Sequence, residues 1–149
     1  MVGGPEGNES KKADRNGAPV LGFRYWVVTR RAGQAPEDVF LTFNPIFDRE
    51  SLEGRLQSSD PKNNSVVARQ GYVLGGVQVV ADTQVNAMRM IFVRETDGKL
   101  DKSDFYMSDW LGTPGEKTPK TLGTGTARVV GICERRQASL RALGLLLSK

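Results

Sequence analysis

The sequence predicts an all-β domain built from three hairpin units, and three observations lead to this fold class. Residues 71–94 read as two apolar strands joined by a polar turn at 82–84, because β-branched and aromatic residues suit a pleated, half-buried surface. The motif of two apolar residues and a glycine at 73–75 recurs at 20–22 and 129–131, with the glycines 53 and then 56 residues apart. Each motif is followed by a polar connection and a second apolar run. This period indicates a pseudo-threefold architecture.

The chain begins with a stretch that predicts a flexible tail. Residues 1–18 are rich in Gly, Asn, Glu and Lys and contain few apolar side chains. Such a segment buries too little surface to offset the entropy that is lost on ordering. We therefore expect a flexible tail over 1–18 and one folded domain over 19–149.

The predicted elements of the first unit are a strand at 19–31, a turn at 32–36, a returning strand at 39–47, a polar connection at 48–64 and a short strand at 65–69. Alternation of Phe23, Tyr25 and Val27 with other residues predicts a strand with two unequal faces. Pro45 cannot donate to a strand ladder, so the returning strand is expected at an edge or ends there.

The second unit contains the central hairpin and a series of turns after it. Asp97-Gly98 predicts a tight turn. The acids Asp97, Asp101 and Asp104 suggest calcium, but their spacing is not that of an EF-hand loop, and turn formation is the favoured interpretation. A short aromatic strand is expected at 105–110 and a loop at 112–125.

The third unit is expected to be a hairpin with a strand at 129–133, a connection at 134–139 and a return at 140–147. A helix is the competing interpretation for 137–149, since Ala, Leu and Arg are good helix formers, but the repeat favours a strand. Cys133 is expected to be a buried structural thiol. The returning strands should bury Met88, Phe92, Leu143 and Leu147.

Composition excludes several function classes. Net charge is +4, from 21 basic and 17 acidic residues, and no basic cluster is interleaved with aromatic residues as in a base-stacking surface. No apolar run approaches the about 18 residues that span a bilayer, and no signal peptide is visible. The chain has one cysteine and no histidine, which removes the commonest general base and zinc ligand. We expect no nucleic acid, membrane insertion, metal, cofactor or catalysis.

The closing residues 129–147, VVGICERRQASLRALGLLL, resemble the last repeat of jacalin-related lectin domains. There an apolar pair, a glycine and two apolar residues precede Gly-Arg-Ser-Gly, a short loop and Leu-Asp-Ala-Ile-Gly. The central hairpin is similar to the middle unit of the same domains, and the segments GYVLGGV, Leu100-Asp101 and FYMSDWLG are similar to jacalin-like modules of bacterial, notably planctomycete, proteins. The resemblance implies a β-prism, with three four-stranded Greek-key sheets around a pseudo-threefold axis.

The resemblance also implies a sugar-binding loop that is altered here. In the plant lectins of this family, sugar binds at a Gly-x-x-x-Asp motif in the last unit, helped by an N-terminal glycine loop. The motif glycine falls on Gln137 and the aspartate on Arg141, and a guanidinium has no acceptor for sugar hydroxyls. An earlier loop glycine falls on Glu134. The candidate ligand-binding residues of this loop are Glu134, Arg135, Arg136, Gln137, Ser139, Leu140 and Arg141.

The resemblance implies a non-catalytic carbohydrate-binding module with an altered or degenerate sugar loop. The alternative is a protein-interaction or structural β-prism domain without sugar binding. The aromatic residues that could stack on a sugar, or instead pack in the core, are Trp26, Phe105, Tyr106 and Trp110. A glycan or an acidic protein surface is the expected partner for this arginine-rich loop. An extracellular or cell-surface location and any oligomeric state stay open.

Overall fold

A computed structural model describes residues 1–32, 35–48 and 64–148, and it confirms the all-β fold. Its strands are β1 (Val2–Gly3), β2 (Asn8–Ala13), β3 (Gly22–Ala32), β4 (Ala35–Ile46), β5 (Asn64–Val67), β6 (Tyr72–Ala81), β7 (Val85–Thr96), β8 (Lys99–Met107), β9 (Leu111–Gly112), β10 (Lys120–Leu122), β11 (Val129–Arg136) and β12 (Leu140–Leu147). Within these ranges no helix has the length and apolarity to cross a membrane.

The strands form three antiparallel sheets, each built around one long hairpin. The hairpins are β3–β4, β6–β7 and β11–β12. A further strand lies beside the first strand of each hairpin, namely β5, β10 and β2. Strands β8 and β1 lie beside the second strand in two of the sheets, and β9 also pairs with β7. In the second sheet, the order β10-β6-β7-β8 places the fourth strand beside the first, which is the order of a Greek key. The expected three four-stranded sheets are only partly found, since the sheets have three, five and four strands among the described residues. The three sheets together form a β-prism.

Backbone hydrogen bonds join the three units at the end where β3, β6 and β11 begin. The Val20 N–H donates to the Val129 carbonyl at 2.8 Å, and the Leu74 N–H donates to the Val20 carbonyl at 3.0 Å. All three side chains are buried. These residues belong to the three repeated motifs. The motifs that recur along the sequence are therefore hydrogen-bonded to one another in the folded chain. The hairpins reverse direction at the opposite end, which we call the turn end.

The core is one cluster, to which side chains of all three hairpins contribute. Phe23 and Phe43 stack with their ring centroids 4.2 Å apart, and Phe40 packs edge-on against Phe43 at 6.0 Å. The predicted burial of three core residues is confirmed, since their exposed fractions are 1% or less: Met88, Phe92 and Leu143. The prediction for Leu147 is wrong. It lies at the end of β12 and is 39% exposed.

A β-bulge changes which side chains of β11 face inward. The pairing with β12 shifts register between Val129 and Gly131. A bulge moves the following side chains to the opposite face, so Ile132 and Glu134 are buried while Cys133 is only half-buried. The predicted burial of Cys133 is therefore wrong, because the strand does not alternate uninterrupted through the bulge.

The N-terminal residues differ most from their prediction. Instead of a flexible tail over 1–18, β2 pairs with β11 and β1 pairs with β12. The β2 side chains are nearly all exposed. An outer strand needs backbone hydrogen bonds more than apolar side chains, which is why the composition of this segment was misleading.

Other turns and strands agree with the sequence to different degrees. The Asp97-Gly98 turn between β7 and β8 is confirmed, and both residues have positive φ. The strand expected at 105–110 instead covers Lys99–Met107, and β10 lies within the predicted loop at 112–125. The third unit returns as a strand rather than a helix. The centre of the predicted turn at 32–36 and most of the connection at 48–64 lie outside the described residues.

Candidate ligand-binding site

The seven residues of the predicted sugar loop stay together at the turn end, but their side chains differ in role. Residues 137–139 connect β11 to β12. Glu134, Ser139 and Leu140 are 2%, 0% and 0% exposed. These three side chains are inside the protein and cannot contact a ligand in this conformation.

The Glu134 carboxylate is the centre of a buried ionic group. Its Oε1 lies 2.9 Å from Lys12 Nζ and 3.4 Å from Arg136 Nε. Lys12 also donates to the Phe43 carbonyl at 3.1 Å and to Asn44 Oδ1 at 2.9 Å. Glu134 therefore connects β11 with β2 and with the first hairpin, which is a structural role.

Ser139 and Leu140 fasten the loop to the second hairpin and the core. The buried Ser139 hydroxyl hydrogen-bonds Gln84 Oε1 at 2.9 Å, across to the β6–β7 turn. Leu140 belongs to the hydrophobic core. Gln137 is exposed, and its backbone N–H donates to the Ser139 carbonyl at 3.1 Å. Of the seven, Gln137 is the residue whose side chain faces solvent.

The three arginines are half-buried and partly engaged within the protein. Arg136 Nη1 donates to the Leu41 carbonyl at 2.5 Å. Arg135 reaches the Gly4 carbonyl at 3.5 Å and lies 3.9 Å from the Glu9 carboxylate. Arg141 Nε is buried and has no hydrogen-bond partner among the described residues. Internal contacts thus reduce the positive charge that this loop offers to an acidic partner.

The N-terminal glycines, which the sequence assigned to the tail, lie directly against this loop. The Gly4 N–H donates to the Arg141 carbonyl at 3.0 Å. At Gly7, where φ is +105°, an added Cβ would lie 2.7 Å from the Arg136 backbone, so only glycine fits without displacement. The Gly3-Gly4 pair was the signal that could have placed this segment beside the β11–β12 turn, because the resembled lectins have a glycine loop there.

Two of the concave regions formed by the described residues lie outside the predicted loop. A cavity of about 330 Å³ at the turn end is bordered by β4, β7 and residues 113–117, and its polar groups include Glu37, Asp38 and Asn86. A shallow, mainly apolar groove of about 280 Å³ lies on the outer face of the second sheet. Sequence reasoning missed both, because their residues come from separate strands with no common motif.

The four candidate aromatic residues are not equally available. Phe105 is 52% exposed and lines the outer groove. Tyr106 packs against the core, with its ring 5.3 Å from that of Phe92. Trp26 and Trp110 are half-buried, and the Arg89 guanidinium lies 4.7 Å from the Trp110 ring centre. Phe105 is therefore the most accessible ring of the four.

Comparison with known proteins supports the fold. Neither a protein-family model nor a curated protein matches the sequence. A crystal structure of a prostate-specific WGA16 glycoprotein lectin superposes with a TM-score of 0.54 and 11% identity, over 99% of this chain and 95% of that one. Almost the whole chain takes part in the match, and at this identity the likeness concerns the fold alone. The chain therefore has a lectin-like β-prism fold.

Proposed function

We propose that this chain is a non-catalytic carbohydrate-binding module with an altered sugar loop at its turn end. The observation that carries the proposal is the position of the Gly3–Gly4 segment beside the β11–β12 turn, with a hydrogen bond from the Gly4 N–H to Arg141 O. These are the two backbone pieces between which the resembled lectins hold sugar. The fold-wide likeness to a lectin adds support by analogy.

The side chains of this loop favour a change in what it binds. Where the resembled lectins use an aspartate, Arg141 offers donors only. Glu134, the buried acid of the loop, is already paired with Lys12 and Arg136. Glu134 is also only 2% exposed, so neutral monosaccharides have no accessible carboxylate acceptor at this loop. We expect no measurable heat from mannose or galactose at about 10 mM, a concentration that corresponds to about 2.7 kcal/mol of affinity.

A gain-of-binding experiment tests this explanation. The double variant Gln137→Gly, Arg141→Asp restores both the small residue and the acceptor of the sugar motif. Its matched control, Gln137→Gly, Arg141→Leu, restores the small residue alone. We expect titration calorimetry to detect mannose or galactose with the first variant and not with the control. Binding of these sugars at residues 137–141 of the unmodified chain would contradict the altered-loop explanation.

The ligand class is tested by presenting neutral and sulfated glycans to the whole chain on an array. Binding to any of them supports the carbohydrate-binding proposal, and binding to none refutes it. The double variant Arg136→Glu, Arg141→Glu then tests the acidic partner. If sulfated glycans bind the variant and the unmodified chain equally, the arginines of the loop are not their site.

A protein-binding function is the second candidate, and a specific surface favours it. Phe105 and Met107 are 52% and 37% exposed on β8, and both line the outer groove over Ile91 and Val93. Aromatic residues and methionine are enriched at protein interfaces. A protein-binding function is supported if no glycan on the array binds and if Phe105→Ser abolishes association with an identified protein partner.

A further inference from the structure

The cavity at the turn end has the construction of a ligand site. Its walls come from three parts of the chain: Glu37 and Asp38 on β4, Val80 and Asn86 on the second hairpin, and residues 113–117. Its volume of about 330 Å³ lies at the small end of the range for ligand pockets, and one or two sugar rings would fill it.

Residues 113–117, which form one wall of the cavity, are held in place at both ends. At its start, Gly112 has φ +80°, and an added Cβ would lie 2.4 Å from the Asn86 carbonyl. At its other end, the Lys117 ammonium forms an ion pair with the Asp82 carboxylate in the β6–β7 turn. This wall is therefore held close to the second hairpin, and the cavity does not depend on an unattached loop.

Each of the two carboxylates in the cavity is positioned by a hydrogen bond that it accepts through one of its two oxygens. The Asn86 amide donates from Nδ2 to Glu37 Oε1 at 3.1 Å and to the Asp38 carbonyl at 2.9 Å. The Thr29 hydroxyl donates to Asp38 Oδ1 at 2.6 Å. No described residue donates to Glu37 Oε2 or Asp38 Oδ2. Each carboxylate is thus fixed in orientation and retains an acceptor.

A second observation also indicates a ligand. Asn86 lines the cavity and is only 6% exposed, yet its Oδ1 is a buried acceptor without a partner among the described residues. Buried polar groups in native proteins are nearly always hydrogen-bonded. This oxygen is enclosed by protein, so a donor of a bound molecule would satisfy it once the Asn86 side chain moves.

The charges of the cavity select the chemical class of the ligand. In the part of the chain that the structure describes, Glu37, Asp38 and Glu116 line it against one lysine, Lys117, which is already paired with Asp82. This excess of negative charge disfavours sulfated or carboxylated ligands. Carboxylates accept strongly from hydroxyl groups, so molecules with several hydroxyls are favoured. Among the described residues, no cluster of Asp, Glu, Cys or His could hold a metal ion.

We propose that this cavity is a saccharide site and binds one or two rings of a neutral oligosaccharide, with Glu37 and Asp38 accepting hydrogen bonds from sugar hydroxyls. The proposal deepens the carbohydrate-binding function and rests on it. It adds a site between the first and second hairpins to the loop at the β11–β12 turn.

The test uses isosteric variants of the two carboxylates. In Glu37→Gln, Asp38→Asn, a side-chain oxygen can still accept from Asn86 and Thr29, while the other oxygen becomes an amide donor. The fold should persist, and acceptance of ligand hydroxyls should be lost. The matched control is Glu9→Gln, which removes an exposed carboxylate on β2, in the third sheet. The probes are maltose, cellobiose, chitobiose and lactose, titrated into the whole chain by NMR.

We expect at least one disaccharide to shift the backbone amide signals of Asn86 and of the residues at 113–117, and the double variant to bind it at least about tenfold more weakly than the Glu9 control. If disaccharides bind but shift signals at 137–141 instead, or bind the double variant unchanged, the cavity is not the site and carbohydrate binding stands. If none binds at millimolar concentration and the glycan array is also negative, both proposals are overturned.

Discussion

The role of Glu134 gives the sharpest test of the claim that the β11–β12 loop uses its charges internally. The Glu134→Gln variant keeps the shape of the side chain and removes its charge. The carboxylate is 2% exposed and lies close to Lys12 and Arg136. Removing one partner of a buried ion pair costs about 3–5 kcal/mol when the remaining charge has no compensation.

The expected cost is lower here, because both cations keep other acceptors. Lys12 retains the Phe43 carbonyl and Asn44, and Arg136 retains the Leu41 carbonyl. The two side chains are also 30% and 25% exposed, so water solvates them in part. We therefore expect Glu134→Gln to lower the free energy of unfolding by about 1–3 kcal/mol, which is the cost of weakening charge-assisted hydrogen bonds.

Urea unfolding followed by tryptophan fluorescence measures this free energy, provided that the slope with urea is unchanged. The control is Glu9→Gln. Glu9 is 53% exposed and 3.9 Å from Arg135, so its loss should cost less than about 0.5 kcal/mol. In a double-mutant cycle, Lys12→Met should cost less in the Glu134→Gln background than in the unmodified chain. Equal costs for the two glutamate variants would refute the buried-network interpretation.

Three further outcomes are expected. Truncating Phe92, which is 1% exposed, to alanine should cost about 3–5 kcal/mol in the same urea assay, and a cost under about 1 kcal/mol would contradict its burial. Half-buried Cys133 should react with a polar thiol reagent in the native protein, more slowly than in the unfolded chain; complete native protection would contradict the bulge. The hydrogen bond from Lys117 lowers the pKa of Asp82, so its stabilisation is present above the ordinary value of about 3.9 and is lost as pH falls through the lowered pKa. Acid titration should therefore destabilise the unmodified chain more than Asp82→Asn, and identical acid limbs would show that the pair contributes nothing.

The fold could be predicted from the sequence because each of its three hairpins begins with the same apolar motif. The motifs containing Val20, Val73 and Val129 begin equivalent hairpins, and burial of a shared core requires apolar residues at equivalent positions. The pattern is less informative where backbone pairing alone forms a strand. The polar β2 segment has no apolar periodicity, so its place beside β11 followed only from the fold.

The site was harder to predict, for two physical reasons. A single bulge in β11 turned Glu134 inward and Cys133 outward, and a bulge leaves no clear mark in the alternation of side chains. The cavity of Glu37, Asp38 and Asn86 joins residues nearly 50 positions apart on two hairpins. Such groups come together only through tertiary packing. No spacing of residues within a short stretch of sequence therefore predicts the cavity.

The third sheet has a consequence for how the chain folds. It combines β1 and β2 from the start of the chain with β11 and β12 from its end, with Arg136 paired to Asn8 across 128 positions. Contacts between distant positions form slowly, because a long loop must close before they can stabilise anything. During synthesis, β1 and β2 are therefore made long before β11 and β12, the strands with which they pair. Their exposed edges are available to other chains during that interval, so a high concentration of newly made chains should favour aggregation and a low expression level should favour native protein.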